Sequence, residues 1–138
     1  LIGEKFPQIV RRASMVNTIF NAIFDKEGVF ALDRVSAMKK VEIRQYLTAL
    51  PGMTPYVEAY VCLHSYDISA MPMDEMNLAF LKQAGVIDAS AGIEEAQKFI
   101  EGHTKPDELH ELFVGLRRNA KENFTAAAET PAKAKKKK

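Results

Sequence analysis

The sequence predicts an all-α fold: a compact multi-helix bundle with one very tight hairpin between two helices, followed by a disordered basic tail. Three observations carry this. Apolar residues recur at three- and four-residue spacing along most of the chain. No run alternates apolar and polar residues as a half-buried strand would, and no Asn-Gly type hairpin turn occurs. Gly and Pro fall where one helical stripe ends and the next begins. With 138 residues, 47% of them hydrophobic, the chain is long enough for one domain with a real core. That domain is expected over 1–123, with 124–138 as the tail.

Each element has a local cause. Pro7 opens a first helix, in which Ile9, Ala13, Val16, Phe20, Ile23 and Phe24 fall on one face, and Gly28 stops it. A short helix follows over 32–38. The next spans 40–50, with Ile43, Tyr46, Leu47 and Leu50 as its stripe, and Pro51-Gly52 breaks it. Thr54 is placed to cap a new helix with Pro55 at its first position, running to about Ser65. A loop containing Pro72 leads to Asp74, the N-cap of a helix that ends at Gly85. One more helix starts at Ser90 or Gly92, runs to Ile100 and closes at Gly102. Pro106 opens the last, with Leu109, Leu112, Phe113 and Leu116 on its face. From Phe124 onward the residues are mainly Ala, Thr, Pro and Lys, too little apolar surface to fold. No internal repeat is evident.

Charge is unevenly distributed. The formal net charge is +1, but residues 133–138 hold five lysines and no acid, and without them 14 basic residues face 18 acidic ones. The body is mildly acidic and the tail basic. The single cysteine, Cys62, excludes an internal disulfide, a cysteine-based zinc site and a protein-ligated iron–sulfur cluster. It fits a reducing compartment. No apolar run approaches the ~20 residues of a membrane span, so no membrane partner is expected. His64, His103 and His110 lack metal-ligand spacing, and no metal site is expected. The methionines at 71, 73 and 76 are read as packing residues. Arg11-Arg12, Lys39-Lys40, Arg117-Arg118 and the lysine tail are candidates for phosphate contact through counterion release, or else solvated surface.

The most informative stretch is 47–63, LTALPGMTPYVEAYVCL. Two helices meet through Pro51-Gly52-Met53-Thr54. Gly52 permits a backbone conformation that other residues resist. The second helix begins at once, so its unpaired N–H groups and dipole make a phosphate site. Such a turn grips a nucleic-acid backbone without reading its sequence. The same residues also fit an ordinary corner between two helices.

The run Leu50-Pro51-Gly52-Met53-Thr54 resembles the helix-hairpin-helix of the HhH-GPD superfamily of DNA glycosylases, which includes endonuclease III. That family has a Leu-Pro-Gly-hydrophobic-Gly turn, and Thr54 stands here for the second Gly, keeping the backbone N–H. The family's Pro-Val-Asp run is similar to Pro72-Met73-Asp74, which is followed by an apolar helix closing at Gly85-Val86. The resemblance covers about 13–118. It implies a base-excision DNA glycosylase with double-stranded DNA as partner, Pro51 to Thr54 on the DNA backbone and Asp74 as the catalytic carboxylate. Cutting the bond between base and sugar builds positive charge on the sugar, which a carboxylate stabilises, or it activates a water. The target base must first leave the stack. Asp74 also fits a plain N-cap, the commonest use of Asp before a helix.

The lysine that bifunctional members carry early in the hairpin helix falls at Tyr56, 18 residues before Asp74. A tyrosine forms no Schiff base, so the resemblance implies a monofunctional enzyme without an efficient lyase step. Tyr56 also fits a half-buried aromatic. The family's four-cysteine cluster is absent, so no cofactor is expected, while a monovalent cation on the hairpin carbonyls stays open. Relatives place helices with part of the base pocket upstream of the hairpin. The chain begins too late to contain most of these, so it is expected to be partial or to have shed half the pocket. A monomer in the cytoplasm (nucleoid-associated) or the nucleus is expected. Two other classes stay open: a non-catalytic DNA-binding helix-hairpin-helix module, and a helical interaction domain, which the mildly acidic body favours.

Overall fold

The computed structural model describes residues 8–129, with side chains to residue 123. The described residues are helical throughout, with turns and loops and no strand: α1 (Ile9–Glu27), α2 (Asp33–Ser36), α3 (Lys40–Thr48), α4 (Pro55–Ser65), α5 (Glu75–Gln83), α6 (Ile93–His103) and α7 (Leu109–Glu129). The all-α expectation is met. The chain divides into two compact units, Leu1–Ile68 and Ser69–Lys138. None of the helices is long and apolar enough to cross a membrane, among the described residues.

In the first unit, α1 ends where predicted. Gly28 takes φ 73°, and its N–H donates to the Phe24 carbonyl at 2.7 Å, closing the last turn. Pro7, read as the start of α1, lies outside the described residues. Just before the stop, Glu27 is gripped by two neighbouring helices. Arg34 of α2 donates from Nε to Oε2 at 2.7 Å and from Nη2 to Oε1 at 2.6 Å. Tyr46 of α3 donates its hydroxyl to Oε1 at 2.9 Å. The Glu27 side chain is only 5% exposed, so its charge stays in place because it is paired. The Arg34 hydrogen bond is the main force holding the Glu27 carboxyl below its ordinary value of 4.5, with the Tyr46 hydroxyl adding to it against the opposing effect of desolvation. Burial, then the bond to Glu27, pushes the Tyr46 phenol up to about 12.

The apolar face of α1 differs from expectation. Ile23 is buried, but Val16, Phe20 and Phe24 remain 51%, 48% and 45% exposed. Phe24 stacks on Phe30, ring centroids 4.8 Å apart, and Phe30 lies 6.3 Å from Phe20. The phenylalanines cover one another rather than a core, so helical periodicity marked a face that is only partly covered. α3 stops two residues before the predicted Leu50, yet Ile43, Leu47 and Leu50 are all buried as its stripe requires. Tyr46 sits half-buried at the edge, where its hydroxyl meets Glu27.

In the second unit, α5 packs chiefly against α7 and also meets α6. α5 ends at Gln83, and Gly85 takes φ 69°, the left-handed conformation expected of a glycine just past a helix end. α6 begins after Gly92 as one of the two predicted starts, but it runs through Gly102 to His103. The His103 Nδ1 to Phe99 carbonyl contact, 2.7 Å, belongs to this last turn, so Gly102 lies inside the helix and does not close it. In α7, Leu109, Phe113, Leu116 and Ala120 are buried, while Leu112, expected on the same face, is exposed. α7 continues to Glu129, past the predicted boundary at Phe124, through a run of alanines that favours helix. Residues 130–138, with the lysine tail, lie outside the described residues.

A pH dependence follows from Glu27. Its pKa is lower folded than unfolded, so its stabilisation is complete above the ordinary 4.5 and fades as the pH falls through the folded value. Glu27→Gln is expected to lower the thermal midpoint at neutral pH and to flatten the acid limb below pH 4.5. Circular-dichroism melts across pH check this, and an unchanged acid limb would rule Glu27 out as its source.

Candidate functional site

The hairpin is built from α3, the turn and α4. The Ala49 N–H donates to the Gln45 carbonyl, Leu50 N–H to Leu47 and Met53 N–H to Leu50, each at 3.1 Å, so the chain reverses within one tight set of bonds. Gly52 takes φ 83°. A Cβ there would meet the Met15 carbonyl oxygen and Thr18 Cγ2 at 3.4 Å, ordinary contact, so the demand for glycine comes from the backbone angle. Thr54 is extended, and its hydroxyl accepts the Val57 N–H at 3.3 Å, the cap predicted for it, with Pro55 at the first helical position. Among the described residues, the amides of Gly52 and Thr54 donate to no protein acceptor. Pro51 and Gly52 are exposed, and Met53 and Thr54 are half-buried.

An ion pair between a buried acid and a half-exposed base braces the two arms. Glu58 of α4 is buried and accepts from Arg44 Nε of α3 at 2.9 Å. Cys62 Sγ lies 3.3 Å from the same oxygen, Oε1, and is buried, which makes Cys62 an internal packing residue as expected. Removing Arg44 would strand the buried Glu58 without its partner, the costly way to break such a pair, whereas Arg44 itself keeps contact with water. The Leu47 and Leu50 carbonyls of the hairpin already accept N–H groups. With no anionic ligand among residues 50–54, these oxygens suit at most a weakly held monovalent ion.

Tyr56 is half-buried, its ring 6.4 Å from that of Tyr60 at an interplanar angle of 24°. Tyr60 in turn lies 4.1 Å from the His64 ring. The position read as the family lysine is therefore the first of three rings at four-residue spacing along α4.

Asp74 lies in the second unit, the hairpin in the first. Its backbone is extended, its Oδ1 accepts the Asn77 N–H at 2.9 Å, and its carbonyl accepts the Leu78 N–H at 2.9 Å. It is thus the N-cap that the sequence indicated. Its other oxygen, Oδ2, pairs with Nη1 of Arg117 on α7.

The segment leading to Asp74 is unusual for a loop because it is buried. Ala70, Met71, Pro72 and Met73 are all inaccessible. Buried backbone must find partners. The Met71 N–H donates to Glu101 Oε1 of α6 at 2.8 Å, and Gln97 Nε2 donates to the same oxygen at 2.9 Å. The Pro72 carbonyl accepts from Asn77 Nδ2 at 3.4 Å, while the buried Asn77 Oδ1 has no protein partner among the described residues. The methionines at 71 and 73 pack as expected, and Met76 is half-buried.

Sequence reasoning missed Glu101 and the use made of Arg117. Glu101 carries no local signal, since it lies 30 residues from the amide it holds. Arg117 was singled out as half of a basic pair for phosphates, and it meets a carboxylate instead. Arg118 pairs with Glu122 at 3.2 Å, and Lys40 donates to the Asp67 carbonyl. Arg11, Arg12 and Lys39 are exposed. Among the described residues, no group of three metal-ligating side chains occurs. Comparison with models of known protein families and with curated proteins finds no match.

Three variants check this geometry. Gly52→Ala is expected to destabilise by about 1–2 kcal/mol through its left-handed backbone, and Thr54→Val by about 1 kcal/mol through the lost cap. Urea midpoints report both, and a neutral Gly52→Ala would mean the turn relaxes to another conformation. Glu101→Ala is expected to speed hydrogen exchange at the Met71 amide. Equal protection in the variant would show that burial alone holds the segment.

Proposed function

We propose that this protein binds double-stranded DNA through its helix-hairpin-helix and hydrolyses the N-glycosidic bond of a base turned out of the duplex, with Asp74 as the working carboxylate. The observation that carries this is the turn itself: a left-handed Gly52, a Thr54-capped helix and, among the described residues, Gly52 and Thr54 amides that donate to no protein acceptor. Amides at a helix start, with the helix dipole behind them, attract a phosphate oxygen. The contact is to the backbone, so it tolerates any sequence. The lysine tail adds affinity that falls with salt.

The chemistry asks for one carboxylate. The bond between C1′ and the base nitrogen breaks, its electron pair leaves with the base, and the sugar becomes cationic. Water adds at C1′, giving up a proton as the base takes one up. Asp74 stabilises the cation or receives the water's proton. Tyr56 cannot attack C1′ as an amine would, so no Schiff base forms and the strand stays intact.

A second reading is a DNA-binding module without catalysis. One observation favours it: both Asp74 oxygens are already engaged, by the Asn77 N–H and by Arg117.

Duplexes carrying single damaged or mismatched bases separate these readings. Enzyme activity is expected to appear as abasic sites that break only after alkali treatment, with no complex trapped by borohydride. Asp74→Asn keeps a good helix cap. It is expected to lower single-turnover excision on the order of 100-fold or more while DNA binding persists. Binding without excision from any duplex would leave the module reading, and absence of DNA retention at low salt would remove both in favour of a helical interaction domain.

A further inference from the structure

The carboxylate on which excision would depend is neutralised by its own protein. Arg117, 43 residues further along the chain, places Nη1 on Asp74 Oδ2. The pair is not sealed: the Arg117 side chain is 41% exposed and that of Asp74 30%. Nor is it the sole hold on α7, whose Leu109, Phe113, Leu116 and Ala120 are buried. A half-exposed ion pair is a weak bond that salt screens. A guanidinium has five donors in a planar fork that suits phosphate as well as carboxylate. Arg118, one residue on, faces a different acid, Glu122, within its own helix.

We propose that Arg117 is a displaceable latch on Asp74, released by a DNA phosphate. In the DNA-free protein the guanidinium holds and neutralises the carboxylate. When a duplex binds, a backbone phosphate takes the guanidinium, and the carboxylate becomes an unpaired anion. Asp74 and phosphate therefore compete for one cation, and the charge a cationic sugar needs is exposed only on DNA. This rests on the proposed DNA binding, but not on catalysis.

Competition predicts a thermodynamic coupling that a merely structural ion pair does not. The affinity of a short, unmodified DNA duplex is measured by fluorescence anisotropy at several salt concentrations. The proteins compared are wild type, Asp74→Asn, Arg117→Gln and the double variant. Asp74→Asn is expected to tighten binding about fivefold, the scale of a half-exposed ion pair, because Arg117 no longer has a competitor. Arg117→Gln is expected to weaken binding and to reduce the salt slope by about one. In the Arg117→Gln background, Asp74→Asn is expected to change nothing, whereas in an Arg118→Gln background its fivefold effect persists. Arg117→Lys is expected to restore part of the coupling.

If Asp74→Asn tightens binding equally with and without Arg117, the effect is simply a lost negative charge and the latch is overturned. It is also overturned if Asp74→Asn leaves affinity unchanged while the wild type binds, the result a purely structural pair gives even where unfolding midpoints shift. If no variant holds the duplex at low salt, the DNA-binding reading itself fails and the latch falls with it, an outcome distinct from binding without coupling.

Discussion

A helix begins with backbone N–H groups that have no partner within it, and this protein meets that constraint at the two places where function is proposed. Thr54 satisfies one such group at the start of α4, and Asp74 does so at the start of α5. The solutions differ in what they leave over. At Thr54 a neutral hydroxyl caps the helix, and among the described residues the Gly52 and Thr54 amides donate to no protein acceptor. At Asp74 the cap is an anion with a second oxygen to spare, and that oxygen goes to Arg117. Its reach is set by how firmly the backbone beneath it is held.

The backbone before Asp74 is held from within. A loop normally lies in water because its amides need partners. Here Ala70 to Met73 are buried, and side chains of other helices supply the partners: Glu101 for the Met71 amide, Asn77 for the Pro72 carbonyl. Glu101 accepts two N–H donors on one oxygen, from the Met71 amide and from Gln97, and so ties the segment to α6. Under the proposed function, a carboxylate carried on so constrained a segment would lose little freedom on meeting a substrate.

The first unit solves a similar problem by pairing acids with bases across helices. Glu27 joins the end of α1 to Arg34 and Tyr46, and Glu58 joins the two arms of the hairpin through Arg44. In both pairs the acid is shielded and the arginine reaches water, so the acid keeps its charge partner and the helices keep their geometry. Bracing α3 against α4 helps hold the Gly52 turn in one conformation, which the proposed backbone contact requires. The mild acidity of the body is thus partly taken up by internal pairs.

The features legible in the sequence are the local ones. The left-handed Gly52, the Thr54 cap with Pro55 behind it, the Asp74 cap and the stop at Gly28 depend on residues within one turn of each other. The sequence by itself therefore determined the helices, most of their ends and the hairpin. Periodicity also marked the stripe of α3 correctly. It could not say that Val16, Phe20 and Phe24 would remain largely uncovered, because periodicity reports that a face is apolar and not what lies opposite it. In the same way, the sequence could nominate Asp74 and Arg117 separately, but not bring them together. Which cation reaches a carboxylate across 43 residues, and which acid reaches a buried amide across 30, is settled by the packing of α5, α6 and α7. Tertiary structure alone decided those partners, because an ion pair or hydrogen bond acts over a few ångströms of space and is indifferent to separation along the chain.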